Sequence, residues 1–405
     1  MDDSTEQNGE VSNNTPFDPW YHVRVTGATK NGESVNFDIE TKKLEESGKE
    51  TTVQRVYEDF EWLQHCLATD SDVGGVIMPP LPARPIASPA DAAARSKKEL
   101  GTDEKIKGDE FHKDCRTLEK YLQQVVRHCI LGKNISLAKF LTETQPPVRA
   151  KLKKSLLTNF SKAVGEVRKG GHQDVDEYFQ KERATVNDLV KLMKEASDNF
   201  NNMLNHEERL ASSLNHLSTS LCLASTAAED GPSSDINKMQ LHLAKAVEHY
   251  SHGIDVFVTN DEKTLGFCLD HYARYLESEK AMLYGRTCKL VEFENASKAL
   301  EKAKPLKREA NLVPGVLTNM AMVRFPASAV YAEELKEKRE REFNEISEVA
   351  KKEISKFQRQ RVVEFQKALI LYAEAKIKTA RDISALIAKD ISTLKQMEFS
   401  SSASE

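Results

Sequence analysis

The chain has 405 residues, of which 30% are charged and only 7% aromatic, and a formal net charge of −5. That length suits two or three domains, and the charge-rich, aromatic-poor balance suits long solvated helices better than a compact enzyme core. The negative total gives no overall electrostatic match to nucleic acid or anionic lipid, so any basic surface is local.

Residues 1–16 are polar, read as disordered, and carry no apolar run that would mark a signal peptide. Residues 17–60 read as strands. Trp20 to Val25 and Val35 to Ile39 alternate apolar with polar, and Lys30-Asn31-Gly32 between them is a hairpin signal. Thr51 to Val56 pairs as a third strand. Phe60, Leu63 and Leu67 then fall at helical spacing. Five prolines crowd into Pro79–Pro89, opening an irregular stretch over 79–108. Helical pattern resumes at Glu110, with Phe111, Cys115, Leu118, Leu122 and Val125 on one stripe. A short helix ends near Leu141, and Pro146-Pro147 closes the domain. The plan for 17–147 is an α+β domain, a small antiparallel sheet followed by helices.

From residue 148 the pattern changes. Only Pro232, Pro305 and Pro314 interrupt the chain before Pro326. Three long helical stretches are predicted, at about 173–227, 235–304 and 328–397, each with an apolar seam and a charged face. The second is expected to break at Thr259-Asn260-Asp261-Glu262, where Thr or Asn could cap a new helix. A 70-residue helix is about 105 Å long, too long for a globular core but suited to an elongated coiled bundle. The bundle occupies 172–399, with 148–171 as a linker and 400–405 as a tail.

Six cysteines lie scattered without C-x-x-C spacing, which suggests neither zinc nor a disulfide framework and fits a reducing cytosol. No stretch reaches the roughly 18 apolar residues that span a bilayer. The sequence contains no phosphate loop, no H-E-x-x-H and no G-x-S-x-G, so no enzyme activity, cofactor or metal is expected. Gly170-Gly171-His172 reads as a flexible joint, and His128, His252 and His271 lie on helical patterns.

Residues 149–169 are a separate signal. Arg149, Lys151, Lys153, Lys154, Lys162, Arg168 and Lys169 stand against one acid, Glu166. Leu152, Leu156, Phe160 and Val164 share one stripe. A basic helix with an apolar face suits the interface of an anionic membrane. A second basic cluster, Lys298, Lys302, Lys304, Lys307 and Arg308, lies near the end of the second long helix. The apolar segment from Asn311 to Tyr331 that follows it has no assignment.

Residues 55–62, Arg-Val-Tyr-Glu-Asp-Phe-Glu-Trp, followed by the run from Gly75 to Pro85, resemble the Phox-homology (PX) lipid-binding module. With the long helical tail, the chain resembles the sorting nexins that join a PX domain to a BAR (banana-shaped dimerisation) domain. The pattern E-D-F-x-W-L at 58–63, the glycine–proline run at 75–85, D-V-D-E-Y-F at 174–179 and F-E-N-A-S-K-A-L-E-K-A-K at 293–304 are similar to the subgroup of sorting nexins five, six and thirty-two.

The resemblance implies a membrane-coat subunit rather than an enzyme. Its BAR domain would dimerise, with a sorting nexin of the one/two type as preferred partner. The dimer would bind phosphoinositide-containing membrane on the cytosolic face of early endosomes and their tubules, supporting retrograde transport to the Golgi with retromer. In that family 149–169 is a membrane-gripping amphipathic helix, and Lys302, Lys304, Lys307 and Arg308 lie toward the BAR tip. PX modules that read phosphatidylinositol 3-phosphate use an Arg where this chain has Val56, and a second where it has Asp114. What remains for a headgroup is Arg55, Tyr57 and Arg84, with Arg55 sent to the opposite strand face by alternation. The subgroup instead binds extended cargo-receptor tails beside a helical insert, at positions matching Phe111, Cys115 and Glu119; residues 84–110 are shorter and richer in alanine than that insert. Two alternatives stay open: a phosphoinositide-reading adaptor, and a cytoskeletal or scaffold coiled coil.

Overall fold

In the computed structural model, residues 17–32, 34–44, 48, 50–70, 73–86, 111–147, 173–225, 232–303 and 327–396 are described. Packing divides the chain into two units, Met1–Val73 with Pro79–Leu156, and Gly74–Met78 with Leu157–Glu405.

The first unit is a three-stranded antiparallel sheet of order β1-β2-β3 with helices. β1 is Tyr21–Asn31, β2 is Ser34–Lys43 and β3 is Glu50–Val56. Asn31 faces Ser34 across the first turn, where Gly32 has φ 62°, the backbone form that favours glycine. Alternation buries Tyr21, Val23, Val25, Phe37, Ile39 and Val53 on one face. A bulge between Val25 and Gly27 shifts the β1–β2 register.

Helix α1, Tyr57–Asp70, follows β3 without a loop. Asp59 makes that join possible: its Oδ2 accepts from the Val56 N–H at 3.0 Å, satisfying a donor at the helix start. Phe60 beside it is fully buried and meets Phe37 and Phe140 edge-on, at ring distances of 6.1 and 5.0 Å. Helix α2, His112–Val126, packs on β1, and α3, Ile135–Thr142, packs on α1 and β3. His128 lies beyond the end of α2, not within a helix; its Nδ1 accepts from the N–H groups of Ile130 and Leu131, both at 3.2 Å.

The second unit is helical. It contains α4 (Glu177–Ser225), α5 (Pro232–Asp261), α6 (Phe267–Ala303) and the 70-residue α7 (Ala327–Gln396). The break expected at 259–262 does not occur. A π-helical turn, Glu262–Gly266, carries α5 straight into α6. The Thr264 hydroxyl bonds back to the Asn260 carbonyl at 2.7 Å, so it supports a continuous helix instead of capping a new one. Asp261, completely buried, is paired with Lys376 of α7 at 2.6 Å. The extra residue of a π turn re-aims side chains without ending the helix.

Among the described residues the bundle holds a larger and a smaller core. The larger joins Phe179, Val186 and Val190 of α4 with Tyr272, Tyr275, Leu276 and Leu283 of α6 and Ile354 and Phe357 of α7. Ile77 also belongs to it, and Gly75 (φ 82°) lies so close to α7 that a Cβ would stand 2.5 Å from the Ile346 carbonyl oxygen. The smaller comprises Leu204, Ala211, Ile254 and Val258. There α4 and α5 meet through small residues: Ser218 Oγ donates to the Ala244 carbonyl at 2.9 Å, and Ser251 Oγ to the Ala211 carbonyl at 2.8 Å.

Candidate functional site

The basic residues around Val56 are engaged with other groups of the protein. Arg55 is 1% exposed. Its Nε donates to the Phe140 carbonyl at 3.0 Å, Nη1 to the Gln54 carbonyl at 2.8 Å and Nη2 to the Glu143 carbonyl. Strand alternation turns this guanidinium into the core, where burial lowers its pKa from the usual value. Arg55 therefore leaves the set of headgroup candidates; it ties β3 to α3.

Tyr57 and Arg84 do come together, since the Arg84 guanidinium lies over the Tyr57 ring at 5.0 Å. The Tyr57 hydroxyl donates to the Pro82 carbonyl at 2.5 Å, which fixes the proline run against α1. Arg84 is shared between Glu58 and Glu61, the second at 3.0 Å. The hydrogen bond to Glu58 is the main cause that holds its pKa above the ordinary arginine value. Two carboxylates around one guanidinium leave a net negative charge where a phosphate would have to enter.

Phe111, Cys115 and Glu119 lie at four-residue steps along α2, which packs on β1. Phe111 heads the helix in a left-handed conformation (φ 68°), and its carbonyl accepts from the Cys115 N–H at 2.8 Å. For a bulky side chain this backbone state is a true outlier. Cys115 is buried and lines the stripe from beneath; Phe111 and Glu119 reach the surface in part. Glu119 Oε2 accepts from the Val25 N–H at 2.9 Å, at the bulge in β1, and Oε1 accepts from Gln123 at 2.9 Å. The Leu44 N–H bonds the Trp20 carbonyl at 3.0 Å on the β2 side, so alternation aims the backbone groups of Tyr21 and Val23 at the outer edge of the sheet.

In the helical unit, the D-V-D-E-Y-F run is a clasp. Asp174 Oδ2 accepts from Arg286 Nη1 at 2.7 Å, and Arg286 Nε donates to Ser347 Oγ at 2.9 Å. The Arg286 guanidinium sits 3.5 Å from the Phe179 ring centre. Asp174 Oδ1 accepts from the Asp176 N–H at 3.1 Å, and Asp176 Oδ1 from the Tyr178 N–H at 2.9 Å, capping α4. Sequence reasoning used this run only as a family marker. An Asp-x-Asp before a helical pattern is a capping signal, but nothing in the sequence pairs it with Arg286, 112 residues away.

Large apolar side chains stay exposed along α4, α5 and the second half of α7. Many recur every seven residues: Leu210 and Leu217; Ile236, Leu243 and Tyr250; Val363, Ile370 and Ile377. Those of α4 and α5 lie beside the smaller core or beyond it, whereas Val363 and Ile370 of α7 flank Phe365 and Ala368, which pack in the larger core, and Ile377 lies past it.

Of the basic cluster near 302, Lys302 is exposed at the end of α6. Lys304, Lys307 and Arg308 lie outside the described residues, as do residues 1–16, Gly171 and His172, and the whole 149–169 segment with Lys151, Leu152, Lys153, Lys154, Leu156, Phe160 and Lys162. Among the described residues no helix is long and apolar enough to cross a membrane, and no group of three or more His, Cys, Asp or Glu could hold a metal ion.

A small sheet-and-helix unit with a proline run docked on α1, followed by long paired helices, defines a PX domain joined to a BAR-type bundle. Comparison with known proteins agrees. The PX domain family model matches residues 43–144, and the family described as Vps5 C terminal like matches 153–389. Human sorting nexin-6 is 30% identical over 311 residues, covering 71% of this chain and 75% of its own length. Human sorting nexin-32 is 25% identical, covering 71% and 76%. The chain belongs to the sorting nexins with a PX domain and a Vps5-like BAR region, a non-enzymatic, membrane-associated trafficking family. The solved SNX-BAR Mvp1 tetramer has the same fold, with TM-score 0.56 at 15% identity over 92% of this chain and all of that one.

Proposed function

We propose that this sorting nexin is a subunit of a coat on the cytosolic face of early endosomes and their tubules, acting with retromer in endosome-to-Golgi sorting. The observation that carries the reading is the set of exposed apolar heptads. A residue repeated every seven positions stays on nearly the same helix face, and such a seam is covered by another helical bundle. By family, that second bundle is a sorting nexin of the one/two type. Basic residues of 149–169, with Lys302, Lys304, Lys307 and Arg308, supply attraction to anionic membrane.

Each such residue near a charged bilayer contributes about 1 kcal/mol. Replacing Lys153, Lys154 and Lys162 with Gln is therefore expected to weaken binding to phosphatidylserine vesicles about 100-fold, measured by co-sedimentation of the full chain. Unchanged binding would remove residues 149–169 from the membrane contact.

For the PX unit, the reading is cargo binding. An extended receptor tail would add as a strand along the outer edge of β1, beside Phe111 and Glu119, with Cys115 beneath. Phosphatidylinositol 3-phosphate recognition is disfavoured by the buried Arg55 and by the Glu58–Arg84–Glu61 arrangement. Val56→Arg alone is expected to leave vesicle binding insensitive to that lipid, because Arg84 stays neutralised. Adding Glu58→Gln and Glu61→Gln is expected to produce lipid-dependent flotation. A lipid response from the single variant would restore the headgroup reading.

A further inference from the structure

Glu279 lies in the middle of α6, between Tyr275 and Leu276 on one side and Met282 and Leu283 on the other, all four part of the larger core. It is 1% exposed, and among the described residues neither carboxylate oxygen has a hydrogen-bond partner. A buried ionised carboxylate without partners is strongly disfavoured. The groups facing it do not relieve this. From α4, Glu182 adds a like charge, and Glu182 is itself held by Gln358 of α7 at 2.8 Å. From α7, Arg361 is the opposing cation. Tyr178 of α4 and Tyr275 of α6 feel the Glu279 charge, and Glu353 and Glu364 of α7 act on Tyr275 in the same sense. Among the described residues, the charges acting on Glu279 itself are Glu182 and Arg361, and Lys351 of α7 lies over the neighbouring Tyr178 ring at 5.8 Å.

We infer that Glu279 is a proton-operated latch in the bundle: as the neutral acid it packs between α4 and α7, and as the carboxylate it loosens their contact. The carboxyl is pushed up to about 7, first by burial and then by Glu182. The unfolded chain loses this proton near pH 4.5. Between those values the fold holds a proton that the unfolded chain has released, so stability falls as pH rises. The loss is complete once the folded carboxyl has ionised, above pH 7. The latch therefore operates across the neutral range.

The test is urea unfolding of the full chain at pH 6 and pH 8, for the parent and for Glu279→Gln. The Glu279 contribution should raise the unfolding constant about tenfold between the two pH values. The parent should show this rise relative to Glu279→Gln, and the variant should be the more stable at pH 8. Equal pH dependence in both proteins would overturn the proposal. Should the Gln variant fold poorly, the infrared band of a protonated carboxyl decides instead. Because burial also raises the Asp261 carboxyl, the band is read in Asp261→Asn: one present at pH 6 that disappears by pH 8 supports the latch, and one absent at pH 6 or unchanged at pH 8 ends it.

Discussion

Replacing Asp174 with Ala is expected to lower the stability of the helical unit by about 3–5 kcal/mol, the range for stranding one member of a buried ion pair. Arg286 has a side chain only 2% exposed, and Asp174 is the carboxylate bonded to it at 2.7 Å. Arg183 stands farther from Asp174, at 4.0 Å, and adds a second positive charge. Burial already lowers the Arg286 pKa; without the Asp174 carboxylate the guanidinium would keep Ser347, the faces of Phe179 and Phe343 and the more distant charge of Asp176, with no bonded carboxylate among the described residues. For a unit of this size the melting temperature should drop on the order of 10 °C, read by circular dichroism at 222 nm, the usual helical wavelength. Adding Arg286→Met should recover much of the loss, because the aromatic walls accept an apolar chain and no charge is left behind. A single variant within about 1 kcal/mol of the parent would mean that water reaches this clasp.

The clasp also shows what the sequence carried and what it hid. Alternation at Tyr21, Val23 and Val25 and the helical stripe of Phe60, Leu63 and Leu67 were legible, because periodicity records which face is buried. Residues 259–262 read as a break because Thr and Asn favour caps. In the fold the chain continues through a π turn, the Thr264 hydroxyl bonds back to Asn260, and Lys376 meets buried Asp261 from a helix more than a hundred residues away. Local propensity cannot register that partner. The same limit applied to Arg84: the sequence grouped it with Tyr57 as a headgroup candidate, but its place over the Tyr57 ring and its neutralisation by Glu58 and Glu61 of α1 both come from the fold. Alternation did place Arg55 off the headgroup face, yet only the fold supplies the three carbonyls that occupy it.

Ile370→Asp is expected to abolish association of the bundle with its partner. Ile370 is 49% exposed in the single chain and lies one heptad from Val363 and from Ile377. In a paired bundle that stripe loses water, so each substitution removes about 2–3 kcal/mol of apolar burial and inserts a carboxylate with no partner. The dissociation constant should rise at least about 1,000-fold, more in a symmetric dimer where the change appears twice. Sedimentation of the full chain, alone and mixed with a sorting nexin of the one/two type, measures both outcomes. Helix content should stay constant, since Ile370 belongs to neither core. Ser355→Asp, exposed on the same helix near the larger core, should associate normally. Vesicle tubulation should fail with the first variant and persist with the second. A chain that stays paired with Asp at 370 would place the interface elsewhere, on the heptads of α4 and α5, and the equivalent change at Leu217 or Leu243 would then carry the defect.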